Sequence, residues 1–329
     1  MNAFESVELA GEDAELVSIV IPCHGQAHFL PDALNSVLAQ THGAFEVIVV
    51  NDGSPDGTDA VVAAYAARDS RVRTFKQENQ GLSGARNAGL ALARGAFVVF
   101  LDADDTLFPK ALASGLEALR ANPKAAFAAG RFQFMGHFRE PIPNPLEIGR
   151  IIGDPYTALL RVNQIAVPAM VLFRRSIFAE VGTFDATTTP AEDYDLYLRI
   201  TRRYPICTHD AMVAGYRQYG GGLSANAGRM GRALMRVMER QQPHIAGNAV
   251  LERAHREGVR FWKRFYFPRA ARRALSRCVG AGEWQELFDE LPVVLRWGPL
   301  ATARYVRELG GRILRSGGLR RGDQREVAA

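Results

Sequence analysis

The sequence is poor in the residues that cross-link small proteins. Only three cysteines occur in 329 residues, and Cys23, Cys207 and Cys278 lie far apart. No Cys-x-x-Cys or mixed Cys/His ligand spacing is present, which argues against a disulfide framework and a structural zinc site. We therefore expect free thiols in a reducing compartment.

Long hydrophobic runs are also absent. No stretch reaches 18 uninterrupted apolar residues, so no membrane-spanning helix is predicted. Residues 1–15 are acidic and lack the basic start and apolar run of a secretory signal. We expect a cytoplasmic protein, with peripheral contact at the cytoplasmic face of the membrane as an additional hypothesis.

The composition is that of a globular protein, with 47% hydrophobic and 23% charged residues. The net charge of +5 is unevenly distributed: residues 251–329 carry 17 Lys and Arg against 9 Asp and Glu, and residues 1–250 carry 23 against 26. Arginines alternate with aromatic residues over 253–277. Packing onto the rest of the protein is the first interpretation, contact with an anionic membrane surface the second. Nucleic acid is a distant third, because no nucleic-acid-binding motif appears.

The first hundred residues alternate between short apolar runs and amphipathic segments. The pattern predicts strands at 17–21, 45–50, 72–75 and 97–101, and helices at about 30–40, 58–68 and 82–94. Such alternation is typical of an α/β fold with a mostly parallel sheet covered by helices.

Further along, the pattern is looser. It predicts strands at 125–138 and 167–173, a loop at 139–149 and a helix at 192–204. From about residue 228 the sequence is helical and rich in Arg. We predict an N-terminal extension (1–15), a catalytic domain (16–227) and a basic helical C-terminal region (228–329).

Polar clusters follow three of the early strands. They are Cys23-His24-Gly25, Asn51-Asp52-Gly53-Ser54 and Asp102-Ala103-Asp104-Asp105. Ligands of open α/β sheets bind beyond the carboxyl ends of the strands. The sequence therefore predicts one ligand site to which these three loops converge.

Asp102 and Asp104 can bind one hard divalent cation together, since Mg²⁺ and Mn²⁺ prefer oxygen ligands. The alternative is a helix cap, in which Asp104 or Asp105 begins a helix near Phe108. Asp52 can accept a hydrogen bond from a nucleobase or a ribose, or it can shape its own loop as an Asx-turn.

The segment 81–89 is rich in Gly but has neither the G-x-G-x-x-G nor the Walker A spacing. Its backbone N–H groups and Arg86 can bind a diphosphate. Equally, Gly84 and Gly89 can serve close packing while Arg86 forms an ion pair.

Glu192-Asp193-Tyr194-Asp195 places three acids at the start of a predicted helix. The helix dipole alone favours acids there. The functional interpretation is a general base that takes a proton from an attacking hydroxyl.

Together these segments resemble the inverting family 2 glycosyltransferases, which have the GT-A fold. The resemblance is carried by residues 17–22, 30–41, 49–58, 79–89, 100–105, 172–176, 181–185 and 191–199. Each segment alone is weak evidence for the family, but the order and spacing of all of them over about residues 17–224 make the match specific.

The resemblance implies a nucleotide-sugar donor. Asp52 then recognises the nucleobase, usually uracil, and Pro22 lines the nucleotide pocket. Arg86 lies near the diphosphate. Ala103, inside the Asp-x-Asp motif, is counted among the donor-binding residues.

The resemblance also implies chemistry. Asp102 and Asp104 hold Mn²⁺ or Mg²⁺ on the donor diphosphate, with Asp102 counted as donor-binding too. Asp193 is the general base. One base and no enzyme nucleophile predict inversion at the anomeric carbon. The implied role is synthesis of a cell-surface polysaccharide, glycolipid or glycoprotein, on a saccharide, lipid-linked or protein acceptor.

Two departures from the family pattern refine this prediction. His24-Gly25 follows Cys23, where Tyr-Asn is common, which affects the base and ribose contacts. The Gln-x-x-Arg-Trp motif of processive synthases is absent, and Tyr216-Arg-Gln-Tyr219 does not match it, so transfer of a single sugar is predicted.

Three other functions fit the sequence less well. A nucleotidyltransferase needs a Gly-rich loop with Arg or Lys after the first strand, which is lacking. A non-catalytic binding module on the same scaffold would be indicated by loss of Asp104 or Asp193, and both are present. A dehydrogenase is disfavoured, because no G-x-G-x-x-G follows the first strand.

Overall fold

The computed structural model describes residues 15–143, 151–219 and 226–281, with side chains as far as residue 273. These residues form two compact units: the first contains 15–143, 151–159 and 163–219, and the second contains 160–162 and 226–281. Most of the predicted N-terminal extension, residues 144–149 of the predicted loop and everything after 281 lie outside the described residues. The predicted domain limits stay predictions.

Eight strands form one sheet in the first unit, in the order β3-β2-β1-β4-β7-β6-β8-β5. The strands are β1 (Val17–Cys23), β2 (Phe45–Asp52), β3 (Val72–Gln77), β4 (Phe97–Phe100), β5 (Thr106–Leu107), β6 (Phe127–Met135), β7 (Val171–Arg174) and β8 (Cys207–Arg217). The helices are α1 (Leu30–Leu38), α2 (Thr58–Ala66), α3 (Gly81–Leu92), α4 (Ala111–Ala121), α5 (Pro155–Arg161), α6 (Ile177–Val181), α7 (Glu192–Thr201), α8 (Ala227–Ile245) and α9 (Ala249–Ala281). The predicted α/β fold with a mostly parallel sheet is confirmed.

The half of the sheet made by β3, β2, β1 and β4 is parallel throughout. Every residue of β1 and β2 is buried, as expected for strands that helices cover on both faces. Helix α3 approaches this half closely at Gly89, where a Cβ would lie 2.2 Å from Val20 Cγ1. The close-packing role of Gly89 is therefore observed.

The other half of the sheet is mixed. Strand β7 runs antiparallel to both β4 and β6, β6 is parallel to β8, and β5 is antiparallel to β8. The strand predicted at 167–173 begins instead with a 3₁₀ turn, Pro168–Met170. Proline fixes its own φ and lacks an N–H, so the ladder starts only after that turn.

The helix predicted to begin near Phe108 starts later, and the capping alternative for Asp104 and Asp105 is wrong. Strand β5 comes first, and α4 begins at Ala111 after Lys110. The Asp105 side chain instead accepts the backbone N–H of Arg217 at 2.9 Å. The acidic loop therefore continues into a strand, with its last carboxylate fixed by β8.

Aromatic rings fill the core beneath the sheet. Phe100 of β4 packs against Phe173, Phe178 and Phe184 at centroid distances of 6.0, 5.9 and 4.8 Å. Each fully buried side chain of this size stabilises the fold by about 1.5–3 kcal/mol. The strand that leads to Asp102 is thus rigidly supported from below.

The second unit is helical in its described part. Buried His255 of α9 pairs with the Met238 carbonyl of α8 at 2.8 Å, and Arg161 pairs with Glu257 at 3.0 Å. Among the described residues, no helix combines the length and apolarity needed to cross a bilayer. Cys23 and Cys207 are free thiols, as predicted.

Candidate functional site

The acidic loop after β4 lies at the carboxyl end of the parallel half. Ala103 is fully buried, while the flanking Asp102 and Asp104 are partly accessible. Burial and the nearby charge of Asp102 raise the pKa of Asp104. Burial and the charge of Asp104 raise the pKa of Asp105 well above its usual value. Ionisation of all three carboxylates of this loop is therefore unfavourable unless a positive charge lies close to them.

A buried arginine joins this loop to the acidic segment 192–195. Arg86 of α3 donates from Nη2 to Asp102 Oδ1 and from Nη1 to Glu192 Oε1, both at 2.6 Å. Its side chain is 2% exposed, and so is that of Glu192. The ion-pair alternative for Arg86 is therefore observed, and its predicted contact with a diphosphate stays a prediction. Two acidic motifs that lie 90 residues apart in the sequence therefore pair with the same guanidinium group.

Asp193 sits beside this bridge in the first turn of α7. It is half-buried, and its Oδ1 accepts the N–H of Tyr194 at 2.7 Å. Burial raises the pKa of Asp193 to about 7, the charge of Glu192 adds to this, and Arg86 opposes it. A carboxylate with a pKa near neutrality is suited to accept a proton.

Three buried polar atoms of this centre have no hydrogen-bond partner among the described residues: Arg86 Nε, Glu192 Oε2 and the Tyr197 hydroxyl. Unsatisfied buried polar groups are rare in native proteins, and a catalytic role is one of the explanations for them. Sequence reasoning missed the part played by Glu192 and Tyr197. The available signal was their position on one helix, one and four residues from Asp193.

The end of β8 holds the acidic loop from the other side. Arg217 Nε donates to the Asp104 carbonyl at 2.7 Å, and its Nη2 donates to Asp32 Oδ2 at 2.8 Å. The Tyr219 hydroxyl accepts a hydrogen bond from Gln26 Nε2 at 3.0 Å, and burial together with the nearby charge of Asp104 raises the pKa of Tyr219. From its sequence, this segment is only a mismatch to a processive motif, and its contacts with the acidic loop were not predicted.

The predicted nucleotide side lies at the ends of β1 and β2. Pro22 is buried in β1, opposite Val50 of β2. Asp52 is 2% exposed, and its Oδ1 accepts Gln77 Nε2 at 2.7 Å and the Gln80 N–H at 2.8 Å. Asp52 thus shapes the loop before α3, and its recognition of a base stays a prediction.

His24 lies in the neighbouring loop, which follows β1. Its Nδ1 contacts the Asp52 carbonyl at 2.8 Å and lies 3.2 Å from Asn79 Nδ2. The ring is exposed and therefore accessible to a ligand at this end of the sheet.

A divalent cation fits the donor set of the acidic loop. Asp102 and Asp104 offer carboxylate oxygens, the ligands that Mg²⁺ and Mn²⁺ prefer, and the Asp102 side chain is 25% exposed. Within the described ranges, no group of three or more His, Cys, Asp and Glu residues is arranged to hold a metal. Two carboxylates suit a cation that takes its other ligands from a phosphate-bearing substrate.

Comparison with known proteins agrees with this geometry. A family model described as glycosyl transferase family 2 matches residues 18–182. EpsJ of Bacillus subtilis, an uncharacterized glycosyltransferase, is 35% identical over 184 residues, 54% of this chain and 54% of that protein. An uncharacterized glycosyltransferase of Rickettsia conorii is 30% identical over 205 residues, 58% of this chain and 32% of that protein. The chain spans about half or less of the length of these relatives.

Solved structures share the fold. Staphylococcus aureus TarS (residues 1–349) in complex with UDP-GlcNAc matches with a TM-score of 0.60 and 17% identity, over 94% of each chain. The mannosyltransferase PcManGT of Pyrobaculum calidifontis, in complex with GDP-Man and Mn²⁺, matches with a TM-score of 0.54 and 19% identity, over 91% of this chain and 80% of that one.

Proposed function

Because the chain belongs to glycosyl transferase family 2, we propose that it is a metal-dependent, inverting glycosyltransferase. It moves a single sugar from a nucleotide-sugar, with UDP-sugars as the first candidates, to a hydroxyl of a saccharide, lipid-linked or protein acceptor. The observation that carries the proposal is the buried bridge from Arg86 to Asp102 and Glu192. It brings the proposed cation ligands beside the proposed base, Asp193.

The donor side of the proposal rests on the loops after β1, β2 and β4. Asp52 and His24 flank the place proposed for the nucleobase, and Pro22 forms its wall. Asp102 and Asp104 hold Mn²⁺ or Mg²⁺ against the diphosphate, with Ala103 between them. The solved neighbours support a nucleotide-sugar donor and a cation, since one was solved with UDP-GlcNAc and another with GDP-Man and Mn²⁺.

The acceptor side rests on the start of α7. Asp193 takes the proton of the acceptor hydroxyl, and its raised pKa makes it a competent base near neutral pH. The bound cation supplies neutralising charge for the departing nucleoside diphosphate. Arg86 fixes Asp102 and Glu192, so that proton acceptor and cation ligands keep one geometry. With a single displacement on the sugar, the configuration at the anomeric carbon inverts.

A donor screen tests this proposal. Purified protein is mixed with UDP-, GDP-, dTDP- and CMP-sugars in the presence of Mn²⁺, Mg²⁺ or EDTA, and thermal stability and released nucleotide are measured. We expect one nucleotide class to stabilise the protein only with a cation. Asp104→Asn should lose both stabilisation and turnover.

Asp193→Asn separates binding from chemistry. Loss of a general base lowers turnover by about 100- to 10,000-fold, whereas cation-dependent stabilisation by the donor should persist. Asp69→Asn, which removes a carboxylate that pairs with Arg71 near β3, is the matched control and should leave both unchanged. No response to any nucleotide with any cation, or unchanged turnover of Asp193→Asn, contradicts the proposal.

We further propose that the second unit contacts anionic lipid at the cytoplasmic face of the membrane. Helix α9 exposes Arg253, Arg256, Arg260 and Arg264 at three- to four-residue spacing, with Phe261 exposed among them. A basic face with an aromatic residue suits the surface of an anionic bilayer. Sedimentation with anionic liposomes should fall for Arg260→Glu/Arg264→Glu and stay unchanged for Lys110→Glu. Equal sedimentation of all three proteins would exclude this surface.

A further inference from the structure

An exposed aromatic ring stands on the turn that follows β6. Phe138 is 85% exposed, more than any other large hydrophobic residue of the part of the chain that the structure describes. Its neighbours on the turn, Arg139 and Glu140, are exposed and charged. A single exposed apolar side chain is ordinary at a protein surface, so the support and the position of this ring decide its meaning.

The turn is closed by its own hydrogen bonds. The Gly136 N–H donates to the Glu140 carbonyl at 2.8 Å, and the Phe138 N–H donates to Glu140 Oε2 at 3.0 Å. Arg139 has a φ of 68°, the one positive value outside glycine in the described ranges. A side chain rarely adopts this conformation, and the surrounding bonds must offset its cost. The turn therefore holds Phe138 in one place, at a cost that a simple connection between elements does not require.

The ring of Phe138 is also supported from one side. It meets the ring of His137 edge-to-face at a centroid distance of 4.8 Å, and His137 packs in turn on buried Phe29 at 5.3 Å. Edge-to-face contacts of this kind favour one orientation of the rings. Phe138 is thus oriented by its neighbours, while most of its surface stays open to solvent.

Buried Arg217 joins this turn to the acidic loop. Its Nη1 donates to the His137 carbonyl, and its Nε donates to the Asp104 carbonyl at 2.7 Å. Because one planar guanidinium makes both bonds, the two carbonyl oxygens lie within about 8 Å of each other. The guanidinium is fixed in turn over the ring of Phe29, 4.6 Å from its centroid. Phe138, the next residue after His137, therefore lies beside the loop proposed to hold the cation and the donor diphosphate.

The chemistry of the turn favours a sugar over other occupants. A pyranose ring has faces of C–H groups and a rim of hydroxyls. An aromatic ring can cover such a face, while neighbouring charged groups can hydrogen-bond the rim. A lipid chain or a protein partner needs a wider apolar area, and the exposed residues next to Phe138 are charged.

Resting on the proposed function, we propose that the acceptor is a saccharide and that Phe138 binds it, with the aromatic ring stacked on a pyranose ring. The turn then selects which acceptors react. It leaves donor binding to the loops after β1, β2 and β4.

Acceptor kinetics test this assignment. The donor found in the donor screen is combined with methyl glycosides of glucose, galactose, mannose and N-acetylglucosamine, and with short oligosaccharides of these sugars. Acceptor-dependent release of nucleotide and the mass of the product are measured. Phe138→Ala should raise the acceptor KM about tenfold, because it removes the stacking face. The kcat and the donor KM should stay within about twofold, as expected when only acceptor binding is lost.

Two further variants separate stacking from a general surface effect. Phe138→Trp keeps a flat aromatic face and should bind the acceptor nearly as well as the wild type. The matched control is Phe75→Ala, which removes a 38% exposed ring from β3 and should leave the acceptor KM unchanged. An equal rise in KM for Phe75→Ala, or a Phe138→Trp variant as weak as Phe138→Ala, contradicts the proposal.

The outcomes distinguish this inference from the proposed function. Wild-type protein that binds no nucleotide with any cation overturns the proposed function and this inference with it. Wild-type protein that turns over the donor but transfers sugar to none of the saccharides overturns this inference alone. An unchanged acceptor KM in Phe138→Ala does the same, and weaker sedimentation of that variant with anionic liposomes would then assign the ring to a membrane surface.

Discussion

The two halves of the sheet contribute differently to the site. Strands β3, β2, β1 and β4 are parallel, and their loops carry Asp52, Asp102 and Asp104, the groups proposed to meet the ligand. Strands β7, β6, β8 and β5 run in mixed directions, and β8 ends at Arg217, which donates to the Asp104 carbonyl and to the Asp105 carboxylate in the loop of the other half. One half thus presents ligand-binding groups, and the other holds them in place. A site divided in this way can change its ligand contacts without losing its support.

A mutation of Arg86 should disturb this arrangement most, because Arg86 lies on helix α3 of the parallel half and binds Glu192 outside that half. Arg86→Met leaves the buried Glu192 carboxylate unpaired, and breaking a buried pair costs about 3–5 kcal/mol. We expect a loss of that size in the free energy of unfolding, measured in urea. Lys76→Met, which breaks the exposed pair with Asp59, should change it by at most about 0.5 kcal/mol.

Adding Glu192→Gln to Arg86→Met sharpens this test. The amide removes the stranded charge, so part of the lost stability should return. No recovery would mean that Arg86 stabilises the fold by packing alone.

The parallel half can be perturbed separately at Gly89. Gly89→Ala places a methyl group against Val20 Cγ1 and Val50 Cγ2, at 2.2 and 3.1 Å before relaxation. Overpacking of this kind costs about 1–3 kcal/mol, measurable as a lower urea midpoint. Gly43→Ala meets no atom within 4 Å and should stay within about 0.5 kcal/mol of the wild type. Equal stability of both variants would show that α3 shifts freely on the sheet.

The pH dependence of turnover probes the junction between the halves. A base works deprotonated, and Asp193 has a pKa of about 7. Turnover at saturating substrate should therefore rise about tenfold between about pH 6 and pH 8. Glu192→Gln removes a negative neighbour and should shift the rise to lower pH. A flat profile across this range would contradict the assignment of Asp193 as the base.

The sequence predicted the parallel half well, because its signal is local. Continuous apolar strands, the helices between them and the turn formers at residues 51–57 all lie within a few residues of the structure that they specify. Placement of Asp52 and Asp102 at one rim followed from the general geometry of parallel sheets.

The mixed half was predicted less well, because its contacts are distant in sequence. Tyr219 meets Gln26 across 193 residues, and Arg217 meets Asp104 across 113. No sequence pattern within a single segment predicts such pairs. The alternatives for Arg86 stayed open for the same reason. The local sequence around an arginine on a helix is the same whether its side chain binds a phosphate or two buried carboxylates.

The spacing of the Arg86 contacts also has a consequence for synthesis of the chain. Its partner Asp102 lies 16 residues later, but Glu192 lies 106 residues later. At about 5–20 residues per second, roughly 5–20 s pass between the emergence of Arg86 and that of Glu192 from the ribosome. The parallel half can be assembled around the Arg86–Asp102 pair during that interval. Arrival of Glu192 then allows the bridge to close, immediately before the proposed base Asp193 emerges, and Arg217 follows later to bind the acidic loop.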